Sequence, residues 1–126
     1  MNGTRYIGDP ETKVKKIALV GHLFPMNLQA ARPDGKPKEY GVQIIKTLEE
    51  GVDVIIPGEV IDWTVLSYVR DAMQLKKGKA MINLGHYNWE ELGMKYAQDW
   101  LSELLGDSLP VTYVPSEDMY SFYVKE

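Results

Sequence analysis

Cysteine is absent from the 126 residues, which excludes disulfides and thiolate metal sites and removes the usual clue to redox compartment. Histidine is scarce: only His22 and His86 are present, and they are not adjacent. Positive charge is not in excess either. Fourteen Lys and Arg against 18 Asp and Glu give a net charge of −4, and with no basic stripe the chain lacks the electrostatic footprint of a nucleic-acid binder. No polybasic segment suggests a membrane surface. Long hydrophobic runs are missing, the apolar stretch at residues 52–57 being far too short to span a bilayer. The Met1-Asn2-Gly3-Thr4 start has neither the charged nor the apolar region of a signal peptide. These absences predict a soluble, cytoplasmic protein that binds neither nucleic acid nor membrane.

What is present fits one domain, because a chain of this length buries roughly two thirds of the surface its unfolded form exposes. Residues 1–15 are polar, with Gly3, Gly8 and Pro10, and read as a flexible N-terminal arm. Residues 16–126 read as a single α/β domain. Residues 17–20 (IALV) predict a buried strand ended by Gly21-His22. Residues 23–38 carry three prolines and an Asp34-Gly35 turn signal, which predicts an irregular loop over the mouth of the sheet. Residues 40–50 place Val42, Ile45 and Leu48 on one side of a helix closed by Gly51. Residues 52–56 (VDVII) are the next strand, leading into the turn Pro57-Gly58-Glu59. Asp62 is placed to cap a second helix with Val65, Leu66, Val69 and Met73 inward, ending at Lys76-Lys77-Gly78.

The stretch 80–105 is the centre of the chain. Residues 80–84 read as a buried strand turning at Gly85. Asn88 reads as a helix N-cap with Glu91 completing a capping box, so that the helix starts near Trp89. Leu92, Tyr96, Trp100 and Leu104 then recur at four-residue spacing as an apolar stripe expected to face a core, and Gly106 is the stop. Residues 110–115 (PVTYVP) predict a further strand. Residues 119–124 alternate and predict an antiparallel C-terminal edge strand. Alternation of strands and helices at this spacing implies right-handed crossovers, hence a three-layer α/β sandwich with a mostly parallel sheet.

Three strands end in glycine and then a polar residue, at Gly21-His22, Gly58-Glu59 and Gly85-His86. In a parallel sheet these ends share one edge, so His22, Glu59, His86 and Glu90 converge there, at the edge where open sheets bind ligands. Two imidazoles and two carboxylates form a ligand set for zinc, iron or manganese. An anion site built from helix N-termini is the competing idea, but Glu59, Asp62, Glu90 and Glu91 crowd the same turns and repel a phosphate unless a cation intervenes. Plainer readings stand beside these. His86 can be a turn histidine bonded to backbone, Glu90 and Glu59 can serve helix N-termini, and His22 can be a loop residue. Trp63, Trp89 and Trp100 read as packing residues.

At residues 85–97 (GHYNWEELGMKYA) the sequence resembles the C-terminal part of the Nif-three-like dinuclear metal centre proteins, also described as GTP cyclohydrolase type 2 homologues. That family's closing signature is a Gly-His-Tyr turn with a glutamate four residues after the histidine. An earlier strand ends in a Thr-Gly-Glu or Thr-Gly-Asp turn, matched here by Pro57-Gly58-Glu59. The resemblance runs from about Lys16 to Tyr123. It implies that His86 and Glu90 are metal ligands. The family's other ligands, an adjacent histidine pair and an aspartate, belong to its N-terminal half, so the implied set is partial. Trp63-Thr64 stand where many members have histidine and an acid, and His22 with a proline-rich loop replaces a glycine-rich turn. The resemblance implies a metal-dependent hydrolase, if the chain is catalytic, with Glu59 or Glu90 handling protons. The alternative is a non-catalytic metal- or small-molecule-binding module whose ligands another chain completes. Tyr113 and the aromatic-rich segment Met119 to Tyr123 point to a homo-oligomer.

Overall fold

Each of the three short apolar runs becomes a strand, and together they form the parallel part of one sheet. The structure, a computed structural model, describes residues 4–23, 33–35, 39–61, 63–106 and 108–116. Its elements in chain order are β1 (Arg5–Ile7), β2 (Ile17–Leu19), α1 (Tyr40–Glu49), β3 (Val54–Ile56), α2 (Val65–Gln74), β4 (Ala80–Asn83) and α3 (His86–Leu104). The sheet order is β1-β4-β3-β2. Ile17 pairs with Val54 and Val54 with Ala80 in parallel register. The chain is thus an α/β sandwich on a mixed, mostly parallel sheet.

The antiparallel strand comes from the N-terminal segment that sequence reads as a flexible arm. Arg5, Tyr6 and Ile7 pair with Asn83, Ile82 and Met81 of β4. Gly8 permits this close approach: at φ +144° a Cβ on it would lie 2.5 Å from the Cβ of Ala80. The chain then turns on Asp9, whose carboxylate accepts the Glu11 N–H, an Asx turn. It is pinned again by Asp53, whose Oδ2 accepts the N–H groups of Lys15 and Lys16 at 2.8 and 3.0 Å. Those two backbone donors hold the Asp53 carboxyl below its ordinary value. The expected C-terminal edge at 119–124 lies outside the described residues, as does most of the loop at 23–38 and the Asp62 cap.

Both crossovers step the same way across the sheet, β2 to β3 to β4, and right-handed connections then put both helices on one face. Ile44 and Leu48 of α1 and Val65 and Val69 of α2 accordingly join Ile55, Met81, Val20 and Leu23 in a single core. The inward face of α1 is Ile44 and Leu48, with Val42 exposed, a correction to the spacing read from sequence. Ile17 and Leu19 are also exposed, because β2 is the edge strand.

Two further departures concern α3 and the segment after it. The helix starts at His86 behind Gly85, whose φ of 79° and ψ of 162° belong to a region open almost only to glycine. Among the described residues, no atom stands within 4 Å of where a Cβ on Gly85 would be, so the need for glycine is conformational rather than steric. Asn83, buried at the end of β4, accepts the Gly85 N–H on its side-chain oxygen at 2.8 Å. Asn88 is therefore inside the helix, donating to the Leu84 carbonyl. Residues 110–116 form no strand: two of them, Pro110 and Pro115, lack an N–H, and the Tyr113 N–H goes to the Gln98 side chain at 3.1 Å.

Candidate metal centre

Backbone pairing continues past the strand ends and assembles the site. Val20 N–H reaches the Ile56 carbonyl, and Leu23 N–H reaches the Glu59 carbonyl at 2.7 Å. A parallel bridge between Leu23 and Val60 extends the β2–β3 pair, which sets His22 beside Glu59. Leu84 N–H turns toward the Pro57 carbonyl, bringing the β4 end and the start of α3 to the same turn. Because α3 starts at His86, residues 86 and 90 are one helical turn apart on one face. The four residues singled out by strand-end position thus meet.

Their contacts are specific. The Glu59 backbone N–H donates to His22 Nδ1 at 2.9 Å, so His22 carries its proton on Nε2, which faces Glu90 Oε1 at 3.1 Å. His86 lies between carboxylates: Nδ1 is 2.8 Å from Glu59 Oε2 and Nε2 is 3.1 Å from Glu90 Oε1. The two imidazoles stack with centroids 4.0 Å apart and 25° between planes. The His22 side chain is 16% exposed, against 48% for His86, since its ring lies against Gly58. Trp89 covers the other side of that glycine. Trp63 and Trp100 are exposed, so of the three tryptophans read as packing residues only Trp89 is placed against the site.

The hydrogen bond to Glu59, then the charges of Glu90 and Glu59, raise the His86 pKa above 6.5 against a smaller opposing effect of burial. Glu90 is lowered from 4.5, first by its bond from His22 and then by the charge of His86. The signs set a pH window for the metal-free protein. A raised histidine contributes stability that is full below 6.5 and is lost as pH rises through its folded value; a lowered carboxylate contributes stability above 4.5 that is lost as pH falls. Melting in a chelator is therefore expected to peak between about pH 4.5 and 6.5 as far as this cluster governs it. The His86 ring protons should titrate above 6.5 by NMR, and Glu59→Gln should bring that midpoint down. An unshifted midpoint in the parent would contradict the cluster.

His22, Glu59 and His86 each offer a ligand atom, and these atoms lie within 4.8 Å of one another. Ligands around a tetrahedral ion with bonds near 2.1 Å sit roughly 3.4 Å apart, close to the 3.1 Å that separates each imidazole Nε2 from Glu90 Oε1. The donor set is imidazole plus carboxylate, which suits zinc, iron or manganese and disfavours copper(I) and other thiophilic ions. Of the two rings, His86 has the outer contact found at such sites, Nδ1 against the Glu59 carboxylate; His22 Nδ1 instead accepts the Glu59 N–H, so ligation through its Nε2 would require that hydrogen bond to give way.

A second polar group escapes sequence reasoning. Glu91 Oε1 accepts from the hydroxyls of Tyr87 and Tyr113 at 2.5 and 2.6 Å. The Glu91 carboxylate pushes the Tyr113 pKa up to about 12. The four-residue spacing of Tyr87 and Glu91 is a visible helical pair; nothing in the sequence pairs Tyr113 with Glu91.

No protein family and no curated protein matches the chain. Among solved structures, Staphylococcus aureus protein SA1388 superposes with a TM-score of 0.60 at 18% identity, covering 97% of this chain and 33% of that one. A Bacillus cereus protein related to NIF3 gives a TM-score of 0.59 at 21% identity, covering 96% of this chain and 28% of that one. The chain therefore has a NIF3-like fold and spans about a third of the length of the structures it is similar to. Among the described residues, no helix is long and apolar enough to cross a membrane.

Proposed function

We propose that the protein binds a divalent metal ion, zinc, iron or manganese, through ligands drawn from His22, Glu59, His86 and Glu90, and acts as a metal-dependent hydrolase on a small molecule. The observation that carries this reading is the convergence of three strand ends on a group whose ligand atoms lie within 4.8 Å. When bound, such an ion supplies Lewis acidity and a water acidified toward neutral pH. The chain's own residues do the rest. His86 Nε2 is oriented by the Glu59 carboxylate on its Nδ1, and the Nε2 atoms of His22 and His86 both stand 3.1 Å from Glu90 Oε1. Of Glu59 and Glu90, the carboxylate that does not ligate the ion is placed to accept a proton and return it to a leaving group, and its side chain leaves the fourth position to water. The test is metal content per chain after purification without added metal, and then zinc and manganese titration. Negligible binding of either ion would reject the reading.

A second reading, a non-catalytic assembly module, is favoured by α3. Leu92, Tyr96, Trp100 and Leu104 are 58, 65, 55 and 75% exposed, so the stripe expected to face the core is open. Self-association that covers it would give light scattering at micromolar concentration a mass above the 14.3 kDa of one chain. A monomeric mass unchanged by zinc or manganese would sink this reading.

A further inference from the structure

Beside the cluster, a groove of about 570 Å³ lies between α3 and the segment 111–116. Met94, Ala97, Leu101 and Val111 make its lining largely apolar, and His86 and Glu90 line it too. From His86 to Leu101 the helix rises about 22 Å, with His86 and Glu90 of the cluster at one end and Glu91, Gln98, Thr112 and Ser116 set among the apolar wall beyond them. The facing segment is tied down by two hydrogen bonds, Tyr113 N–H to Gln98 Oε1 at 3.1 Å and Tyr113 OH to Glu91 Oε1 at 2.6 Å. The volume is within the range of small-molecule sites.

Charge decides what kind of molecule fits. Among the described residues no lysine or arginine lines the groove, whereas Glu90 and Glu91 do. A divalent ion at the cluster adds two positive charges that Glu59 and Glu90 offset, and Glu91 leaves the lining negative overall, which disfavours a polyphosphate. A nucleoside triphosphate would meet carboxylates along its path. An uncharged aromatic or otherwise apolar body would instead gain by covering Met94, Leu101 and Val111.

We infer that the groove is the substrate subsite and takes an uncharged, phosphate-free, largely apolar small molecule, represented here by an aromatic amide, whose scissile bond faces His86 and Glu90. The binding rests on the groove; the chemistry rests on the metal reading above. Hydrolysis of such an amide forms a bond from the water oxygen to the carbonyl carbon and breaks the C–N bond. One water proton passes by way of Glu90 or Glu59 to the departing nitrogen, and no oxidant or reductant is required.

Saturation-transfer NMR with acetanilide as probe, on metal-free and zinc-loaded protein, tests the inference, with GTP as the anionic comparison. Acetanilide should receive saturation in both forms and GTP in neither. Met94→Arg, at an exposed position in the groove, should weaken acetanilide at least about tenfold by replacing apolar wall with a hydrated charge. Leu104→Arg, outside the groove, should leave acetanilide binding unchanged. Acetanilide binding untouched by Met94→Arg, equal loss in Leu104→Arg, or saturation of GTP would overturn the subsite. Failure to take up zinc with acetanilide binding retained would remove the metal chemistry and leave the groove standing.

Discussion

His86→Ala is expected to weaken zinc binding by at least about 100-fold, since loss of an outer-shell partner alone costs 10–100-fold and this residue supplies a ligand atom itself. The effect should be specific to the site. Half-exposed and outside the core cluster, the ring can be removed without opening a cavity of the kind that costs stability in a packed interior. His22→Ala should lose affinity as well, but for two reasons, because His22 also receives the Glu59 N–H and so fixes the turn that presents the Glu59 carboxylate. Competition with a chromophoric chelator gives the affinities, and melting without metal shows whether each variant is folded. Affinities equal to that of the parent in both folded variants would remove the metal centre from this edge of the sheet.

The site is legible in the sequence because its residues sit at punctuation. Gly21-His22, Gly58-Glu59 and Gly85-His86 each come after a short apolar run, and parallel pairing of β2, β3 and β4 requires those three ends to share an edge. Period and spacing carry that much without any knowledge of side-chain geometry. Strand β1 is not legible. Arg-Tyr-Ile within a polar stretch has no pattern of its own; what makes it a strand is the open edge of β4 and a glycine at position 8 that can pass within contact of Ala80. Local pattern misplaces the start of α3 for a related reason. Asn88 and Glu91 satisfy the rule for a capping box, yet Gly85 in a glycine-only conformation and the buried Asn83 amide begin the helix earlier. That shift is what puts His86 and Glu90 one turn apart on one helix face.

The stripe on α3 shows where periodicity stops. Four-residue spacing reports that a face is apolar; it does not report what covers it. A 19-residue helix is about 28 Å long, while strands of three or four residues span roughly 10–13 Å, so the sheet cannot underlie the whole helix. The solved structures of this fold are about three times as long as this chain.

The strongest steric demand in the site falls on Gly58, and Gly58→Val is expected to cost about 3 kcal/mol, the upper part of the range for overpacking. A Cβ there would stand 2.6 Å from His22 Cε1 and Nδ1 and 2.8 Å from Trp89 Cγ. Both neighbours are rigid rings, one carried by the chain after β2 and the other by α3, so relief on one side drives the wedge into the other. For a chain of this size the loss corresponds to a melting temperature lower by roughly 10 °C. It should come with loss of zinc binding, because moving His22 breaks the Glu59 N–H bond that orients it. Gly93→Ala is the counterpart within α3: among the described residues nothing lies within 4 Å of its Cβ position, and alanine in a helix interior should raise stability by about 0.5–1 kcal/mol. If Gly58→Val melts with the parent and keeps its zinc affinity, the two rings have room to part and the packing that defines this centre is not what positions His22.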